Sequence, residues 1–447
     1  MASTAEQLAA NLNFGALGKA AELKKRIWFT LGALIIYRLG TFIPIPGIDP
    51  VIMQEIFQQN TGGILGMFDM FAGGALGRMT IFALNILPYI SASIIMQLMT
   101  AISPKFEQLK KEGEQGRKKI NQYTRYGTVI LAAVQGYGIA VGLESMTSSQ
   151  GSAVIDPGAF FRITTVITLT SGTVFLMWLG EQVTARGVGN GISLIIFAGI
   201  VANLPSALVA TLELGRTGAL SALFIVFLLI AMVALITFVV FVERAQRRII
   251  VQYPKRQSGN KMFGGESSHI PLKINTSGVI PVIFASSLLL LPITLANFSA
   301  GGGPDWLATI SALLGRGQPL YLLLYAAGIA FFAFFYTSIV FNPGDTADNL
   351  KKNGGFVPGI RPGKNTADYL DHVLTRLTVI GAIYLVGVAV LPEILISRFG
   401  VPFYFGGTSL LIVVTVSMDT VAQIQSHLLA HQYEGLIKKS KLRGRGR

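Results

Sequence analysis

Ten long apolar runs dominate this sequence. A helix needs about 20 largely apolar residues to cross a bilayer, and all the runs except the short fifth one approach or exceed that length. Charged residues make up only 13% of the 447 residues, about half the share of an ordinary soluble domain. The sequence therefore predicts an all-α integral membrane protein and argues against a soluble enzyme, a disordered chain or a fibrous protein. The predicted spans are 27–45, 76–100, 122–143, 160–180, 189–204, 217–242, 275–297, 318–341, 373–396 and 403–426.

The basic residues fall almost entirely on one side of these spans. With ten spans both termini share a side, and the loops and tails of that side hold 30 of the 36 Lys and Arg residues, whereas the opposite loops hold three. Because cytoplasmic loops carry the excess of Lys and Arg, both termini are predicted to be cytoplasmic. Residues 1–26 lack the apolar core and cleavage site of a signal peptide and form an N-terminal cytoplasmic segment. Residues 427–447 form a basic cytoplasmic tail.

Two of the basic loops are unusually long. Residues 243–274 and 342–372 each run for about 30 residues, where roughly two to eight are typical between helices. Both contain strand-like stretches and Gly or Pro turns. Positive-inside topology alone explains much of their charge, but their length predicts protruding loops that bind an anionic or acidic partner, such as ribosomal RNA or an acidic cytosolic protein.

A short repeat divides the spans into two halves. The second span contains PYISAS at 88–93 and the seventh contains PVIFAS at 281–286, with four of six positions identical. Coincidence is one explanation; the other is two five-span halves, 27–204 and 205–426, inserted in opposite orientations as in many transporters. Pro88 and Pro281 are predicted to bend their helices, and the small residues beside them to let helices pack closely.

An apolar segment too short to cross the membrane precedes the second span. Within residues 61–75, about two turns of apolar sequence lie between pairs of glycines. Glycine pairs at both ends would let this piece hinge as a unit. It is either a re-entrant gate or a helix lying at the membrane interface.

Few residues suggest chemistry, and no cofactor or metal site is predicted. Cys is absent, which excludes disulfides and thiolate metal sites. The best enzymatic signal is two Asp-x-x-Asp runs, Asp345/Asp348 and Asp368/Asp371. Membrane enzymes that act on prenyl diphosphates hold Mg²⁺ with such carboxylates. Because both runs stand at predicted helix starts, helix capping is the favoured explanation.

Ionisable residues within the spans are too few for a proton relay. We assign only Arg38, Asp419 and Glu181 to them, the last two near span ends. Glu181 is predicted to pair with a nearby cation at the membrane interface. Ion-coupled transport is therefore disfavoured.

Several longer motifs are specific enough to suggest a family. They include FIPIPG at 42–47, IFALNILPYISASII at 81–95, RGVGNGIS at 186–193, FNP at 341–343, GIRPG at 359–363 and PFYFGGTS at 402–409. On these motifs the chain resembles the SecY family, the channel subunits of the bacterial Sec protein translocase, over nearly its whole length. The resemblance implies an hourglass pore between two inverted five-helix halves in the inner membrane. It would pass unfolded secretory proteins, release membrane helices laterally into lipid and perform no chemistry of its own.

The resemblance also implies roles for individual residues. A constriction of branched apolar side chains would resist wetting and close around an extended chain; its members are Ile86, Ile90, Ile196, Ile283 and Ile412. A plug on the outer side of this constriction would comprise Ile64, Leu65, Met67, Phe68, Met70 and Phe71. A lateral gate between the second and seventh spans would include Asn85, Pro88, Ser91, Ser93, Pro281, Ser286 and Ser287.

Partners are implied in the same way. They are SecE-like and SecG-like small membrane subunits, the SecA motor ATPase, the ribosome with its RNA, signal peptides, nascent chains and membrane lipids. The contact surface for SecA and the ribosome would comprise Arg361, Arg244, Arg247, Arg248, Lys255, Arg256, Lys261, Lys351, Lys352 and Lys364. Two positions depart from the family pattern: Asn85 stands where Gly is usual, and Asn260 occupies a position that is usually basic.

Overall fold

The computed structural model describes residues 21–59, 69, 72–145, 147–148, 151–217, 221–253, 256–258, 261–263, 267–298, 313, 318–399 and 407–444. The helices are α1 (Ala21–Gly40), α2 (Pro50–Gln59), α3 (Leu87–Ile102), α4 (Pro104–Lys111), α5 (Glu114–Ser145), α6 (Ala159–Arg186), α7 (Gly191–Ala202), α8 (Leu204–Arg216), α9 (Ala222–Arg244), α10 (Ile280–Phe298), α11 (Pro319–Val340), α12 (Pro343–Lys352), α13 (Lys364–Phe399) and α14 (Gly407–Gly444). The strands are β1 (Thr147–Ser148), β2 (Gly151–Ser152), β3 (Gln246–Gln252), β4 (Arg256–Ser258), β5 (Lys261–Phe263) and β6 (Ser267–Lys273).

A helix lies at each of the ten predicted spans, which confirms the all-α prediction. Among the described residues, seven helices are long and apolar enough to cross a membrane by length and composition. An eighth span results if α3 and α4, which meet at a bend of 97°, are counted as one. The other two predicted spans correspond to α1, whose first turns carry charged residues, and to α10, apolar over a shorter stretch.

The two prolines of the repeat begin helices, so the prediction that they bend helices is wrong. Pro88 is the second residue of α3 and Pro281 the second residue of α10. The first turn of a helix accepts proline because an N–H there would have no helical partner.

The start of the second span is also later than predicted. Residues 73–86 form turns and one bridge rather than a helix. Met79 and Asn85 have φ values of 44° and 49°, in the left-handed region that a right-handed helix excludes. The helix therefore begins only at Leu87.

Helices of the two predicted halves pack directly against each other. α3 and α5 both pack against α10, and α1 and α7 both pack against α14. Each of these pairs joins one helix of 27–204 to one helix of 205–426. The largest cluster of buried apolar side chains fills the space between these helices and includes Tyr37, Ile86, Ile195, Ile329 and Leu411.

The two long basic loops fold together into one unit. β3 pairs antiparallel with β6, and β4 with β5, which confirms the predicted strand-like stretches of the first loop. The backbone N–H of Gln252 donates to the Phe356 carbonyl at 2.9 Å, and the N–H of Phe356 donates back at 3.0 Å. Beneath this bridge a separate apolar cluster includes Ile249, Leu272 and Val357. Because the sequence predicts that these loops face the cytoplasm, we call β3–β6 together with 342–372 the cytoplasmic unit.

Candidate functional site

Five isoleucines from four helices line one small cavity. Ile86 and Ile90 come from the start of α3, Ile196 from α7, Ile283 from α10 and Ile412 from α14. The cavity measures about 10 Å³, at the lower limit for one water molecule. Its other lining residues are Asn85, Leu87, Ser286 and Ser287. The isoleucines predicted to form the constriction thus meet at one place, which we call the collar.

The collar is closed and almost wholly apolar. Ile86 and Ile412 are each 1% exposed, and Ile283 is partly buried. Branched apolar side chains offer water no hydrogen bonds, so a space of this size between them disfavours water. Contacts of this kind are non-directional. They can therefore surround many different side chains without selecting a sequence.

The residues predicted for the lateral gate lie on α3 and α10, or, for Asn85, just before α3. The two helices pack against each other, and we call their contact the seam. Pro88, Ser91, Pro281, Ser286 and Ser287 are buried, and Ser93 is half-buried. The Ser286 hydroxyl donates to the Ile283 carbonyl at 2.9 Å, and Ser93 Oγ accepts from Gln97 at 3.4 Å. Both hydroxyls are thereby satisfied within their own helix, and the small side chains let the two helices pack closely.

Asn85 occupies a backbone position that explains why Gly is usual there. Its φ of 49° lies in the left-handed region, which Gly adopts freely and which Asn tolerates better than most residues. Asn85 is 2% exposed, and its side chain forms a hydrogen bond with the Tyr37 hydroxyl. The amide therefore links the turn before the collar to α1.

The chain next to the predicted plug is held by three long side chains. The plug residues Ile64, Leu65, Met67, Phe68, Met70 and Phe71 lie outside the described residues. Just after them, the Tyr37 hydroxyl, the Arg38 guanidinium and the Arg78 guanidinium donate to the carbonyls of Ala72, Gly73 and Gly74, at 3.3, 2.7 and 2.9 Å respectively. Three consecutive carbonyls are thus each bound by a side chain. We call residues 72–74 the anchored segment.

One aromatic ring holds both arginines in place. The Arg38 and Arg78 guanidinium carbons lie 4.9 and 4.1 Å from the centroid of the Phe42 ring. Each distance is short enough for a cation–π interaction. The ring and the carbonyls together offset the repulsion between two neighbouring positive charges.

The predicted basic contact residues share the cytoplasmic unit and its margins. Seven are exposed: Arg244, Arg247, Arg248, Lys351, Lys352, Arg361 and Lys364. Arg256 and Lys261 lie on the paired strands β4 and β5, whereas Lys255 and Asn260 lie outside the described residues. Because Gln252 and Phe356 pair, the basic residues of the two loops belong to one folded unit.

Neither Asp345 nor Asp368 caps a helix, so the capping prediction is wrong: Asp345 lies in the first turn of α12 and Asp368 in the second turn of α13. The residue that caps α12 is Asn342: its Oδ1 accepts from the Gly344 N–H at 3.0 Å, and its Nδ2 donates to Asp345 Oδ2 at 2.9 Å. Asp345 therefore supports the first turn without being the cap itself. Among the described residues, no group of three His, Cys, Asp or Glu side chains could hold a metal ion.

Glu181 pairs with a cation as predicted. Arg125 Nε and Nη2 donate to its two carboxylate oxygens at 2.9 and 2.7 Å. This two-pronged pair joins α5 to α6. A bidentate arginine–carboxylate pair fixes geometry as well as charge.

Two buried carboxylates were missed from sequence. Glu393 lies within the ninth predicted span and is 4% exposed; a single acidic residue inside that apolar run was the available signal. Glu243, at the end of α9, is 7% exposed. In the sequence it stands beside arginines and resembles an ordinary surface charge.

Several known proteins are similar to this chain over nearly its whole length. A family model described as SecY matches residues 80–421. The chain is 57% identical over 433 residues to the protein translocase subunit SecY of Escherichia coli (strain K12), covering 97% of this chain and 98% of that protein. It is 56% identical over 431 residues to the subunit of the same name from Vibrio cholerae, covering 96% of each chain.

Solved structures share the fold at much lower sequence identity. One described as "The structure of a protein conducting channel" superposes with a TM-score of 0.63 at 17% identity, covering 91% of this chain and 92% of that one. Sec61 in the canine ribosome-channel complex superposes with a TM-score of 0.62 at 18% identity, with the same coverage. At this identity the likeness concerns the fold.

Proposed function

The chain belongs to the SecY family of protein translocase subunits, and we propose that its collar, its seam and its cytoplasmic unit divide the work of moving polypeptide. It is a multi-pass membrane protein and a protein-conducting channel subunit, not an enzyme. Unfolded secretory proteins pass through it, and membrane helices leave it laterally into lipid. The observation that carries the proposal is the meeting of five isoleucines around one cavity of about 10 Å³.

The collar is the pore constriction in this proposal. Ile86, Ile90, Ile196, Ile283 and Ile412 close the resting path and spread around a chain in transit. Because apolar constrictions block ions by dewetting, the same five side chains keep the membrane sealed. They reform the seal when the chain has left.

The seam is the lateral gate in this proposal. Separation of α3 from α10 opens a path from the collar to lipid, where a sufficiently apolar segment partitions because its side chains gain free energy there. Small side chains and hydroxyls satisfied within their own helices support this role, since parting the helices leaves these hydroxyls paired.

Residues 61–75 act as the plug, and the anchored segment fixes its C-terminal end. In this proposal Ile64, Leu65, Met67, Phe68, Met70 and Phe71 are the apolar plug residues that block the path on the outer side of the collar. The three carbonyl contacts at 72–74 support a plug whose movement begins before Ala72.

The cytoplasmic unit receives the partners that drive transport. Its exposed Arg and Lys side chains suit the acidic surfaces of a SecA motor and the phosphates of ribosomal RNA. The excess of Lys and Arg in the same loops supports cytoplasmic termini. In this proposal the protein lies in the bacterial inner membrane. Small subunits resembling SecE and SecG complete the complex, and the halves 27–204 and 205–426 move about their shared seam.

The test of this proposal places a photo-crosslinking amino acid at Ile283 while a secretory chain is stalled in transit. We expect an adduct between position 283 and the stalled chain. The matched control places the same group at Ile130, which is 63% exposed on the outer surface of α5 and should meet lipid instead. Equal adducts at both positions, or none at 283, would show that the collar is not the path.

A further inference from the structure

A buried polar network lies between the cytoplasmic unit and the seam. α9 ends at Arg244 and β3 begins at Gln246, whereas β6 ends at Lys273 and α10 begins at Ile280. The sheet therefore continues into the gate helix through residues 274–279. The base of the hairpin is closed by the Ile274 N–H, which donates to the Ala245 carbonyl at 3.1 Å.

Glu243 is the centre of this network. Its Oε1 accepts from Asn275 Nδ2 at 2.7 Å and from the Tyr384 hydroxyl at 3.5 Å. Asn275 Nδ2 also donates to the Gly278 carbonyl at 3.1 Å, and Asn275 Oδ1 accepts from the Ser277 hydroxyl at 3.1 Å. One amide thus connects α9 to the turn that precedes α10.

Burial makes these contacts difficult to break. Glu243 is 7% exposed, Asn275 3%, Ser277 4% and Tyr384 8%. A buried carboxylate that loses its donors has no water to replace them, so separating Asn275 from Glu243 is strongly unfavourable. The two sides of the hairpin base therefore move together.

α13 packs closely against the same turn. A side-chain carbon added at Gly381 would lie 3.0 Å from the Ile274 carbonyl oxygen and 3.6 Å from the Asn275 Cα. The Tyr384 hydroxyl reaches Glu243 from this helix. The turn is held between α9 and α13, which limits the directions in which it can move.

The turn also leads directly to the collar. The N–H groups of Val282 and Ile283 donate to the Val279 carbonyl at 3.1 and 3.3 Å. The Ile283 carbonyl in turn accepts a hydrogen bond from the Ser286 hydroxyl. Hence a displacement of 274–279 is passed along the first turn of α10 to a collar side chain.

We propose that Glu243, Asn275 and Tyr384 are positioning residues that couple the cytoplasmic unit to α10, so that a partner which displaces the sheet also displaces Ile283 and opens the seam. This inference rests on the proposed function of the seam as the lateral gate. It adds a route by which binding outside the membrane reaches the gate. None of the three side chains touches the translocating chain in this scheme.

The experiment measures gate movement and partner binding separately. The chain contains no Cys, so Ile95→Cys on α3 and Leu288→Cys on α10 carry the only two spin labels. These positions are 47% and 52% exposed. In the assembled translocase in lipid nanodiscs, the label separation is measured by pulsed electron resonance without and with saturating SecA and a non-hydrolysable ATP analogue. The affinity for SecA is measured on the same samples.

We expect Asn275→Ala and Glu243→Ala to reduce the SecA-induced shift of the label separation by about fivefold or more while SecA binds as tightly as before. Tyr384→Phe, which removes only one hydroxyl, should have a smaller effect. Glu243→Gln keeps an acceptor for Asn275 and should retain most of the shift. Asn121→Ala, which removes an exposed amide on α5, is the matched control and should leave the shift unchanged.

Three results would overturn the coupling. In the first, the label separation in the Asn275→Ala and Glu243→Ala variants shifts as far as it does in the unsubstituted channel. In the second, SecA affinity falls in parallel with the shift, which would mean that the network merely supports the folded sheet. In the third, the unsubstituted channel itself shows no shift, and this result alone also contradicts the assignment of the seam as the gate.

Discussion

Ile86, just before α3, and Ile412, on α14, line the same cavity, and each is only 1% exposed. The two residues belong to different predicted halves of the chain, so the seal that we propose depends on how those halves meet. A change that shortens both side chains opens the collar from two sides at once.

Replacing Ile86 and Ile412 together by Ala should make the resting channel leak ions. The cavity of about 10 Å³ would grow well beyond the size of one water molecule, and a wetted path conducts. We expect a severalfold rise in resting conductance across planar bilayers. Ile329→Ala is the control, because Ile329 is 0% exposed in the same apolar cluster but does not line the cavity. If the double variant has a resting conductance no higher than that of the Ile329→Ala control, another element forms the seal.

Asn85→Ala should destabilise the protein more than Asn85→Gly. Both substitutions remove the hydrogen bond to Tyr37. Only Ala also has a side-chain carbon that makes the left-handed backbone at φ 49° unfavourable, by about 1 kcal/mol. Thermal unfolding of the purified complex in detergent measures the difference. Equal melting temperatures for the two variants would contradict the backbone argument.

Ile249→Asp should unfold the cytoplasmic unit, whereas Ile250→Asp should not. The two residues are adjacent on β3, but Ile249 is 5% exposed within the apolar cluster and Ile250 is 49% exposed. Burying a neutral polar group without a hydrogen-bond partner costs roughly 2–7 kcal/mol, and burying an unpaired carboxylate costs more. Limited proteolysis should therefore cut 342–372 rapidly in the first variant alone. Similar cleavage of both would show that the loops do not share a core.

Arg78→Lys should loosen the anchored segment although the charge is kept. Lysine cannot reproduce the fork that donates to Gly73 and Gly74, nor the flat stacking on Phe42. Losing a charge-assisted hydrogen bond worth about 1.5–3 kcal/mol should speed amide hydrogen exchange within 72–77 by about tenfold or more. Arg216→Lys, at an exposed pair with Glu213, is the control. Unchanged exchange at 72–77 would mean that the arginine does not hold the segment.

Periodic, local features of the fold were predictable from the sequence. Each of the ten apolar runs contains a described helix, as expected where a membrane crossing takes about 20 largely apolar residues. The fifth run, though short, contains α7. The strands of the first long loop were visible in its composition. The prolines were misread because the rule that proline bends helices holds only in a helix interior. Nothing in 76–86 signals that Met79 adopts left-handed backbone, whereas at Asn85 the Gly that is usual in the family was the available signal.

Contacts between distant parts of the chain could not be predicted from the sequence. The five collar residues came from a family resemblance, since in sequence Ile196 is one branched residue among many. The pairing of Gln252 with Phe356 joins residues from different loops and leaves no local trace. Burial of Glu243 and Glu393 likewise depends on helices brought together from distant parts of the chain.

Both helices of the seam begin beside the collar, and Pro88 and Pro281 each occupy a first helical turn. The backbone before Leu87 has no intrahelical ladder to tear. An opening lined by the first turns of helices can widen through rotation of a few backbone torsions, and the helices themselves stay intact. Passage of a chain would then cost little free energy and leave the helices unchanged afterwards.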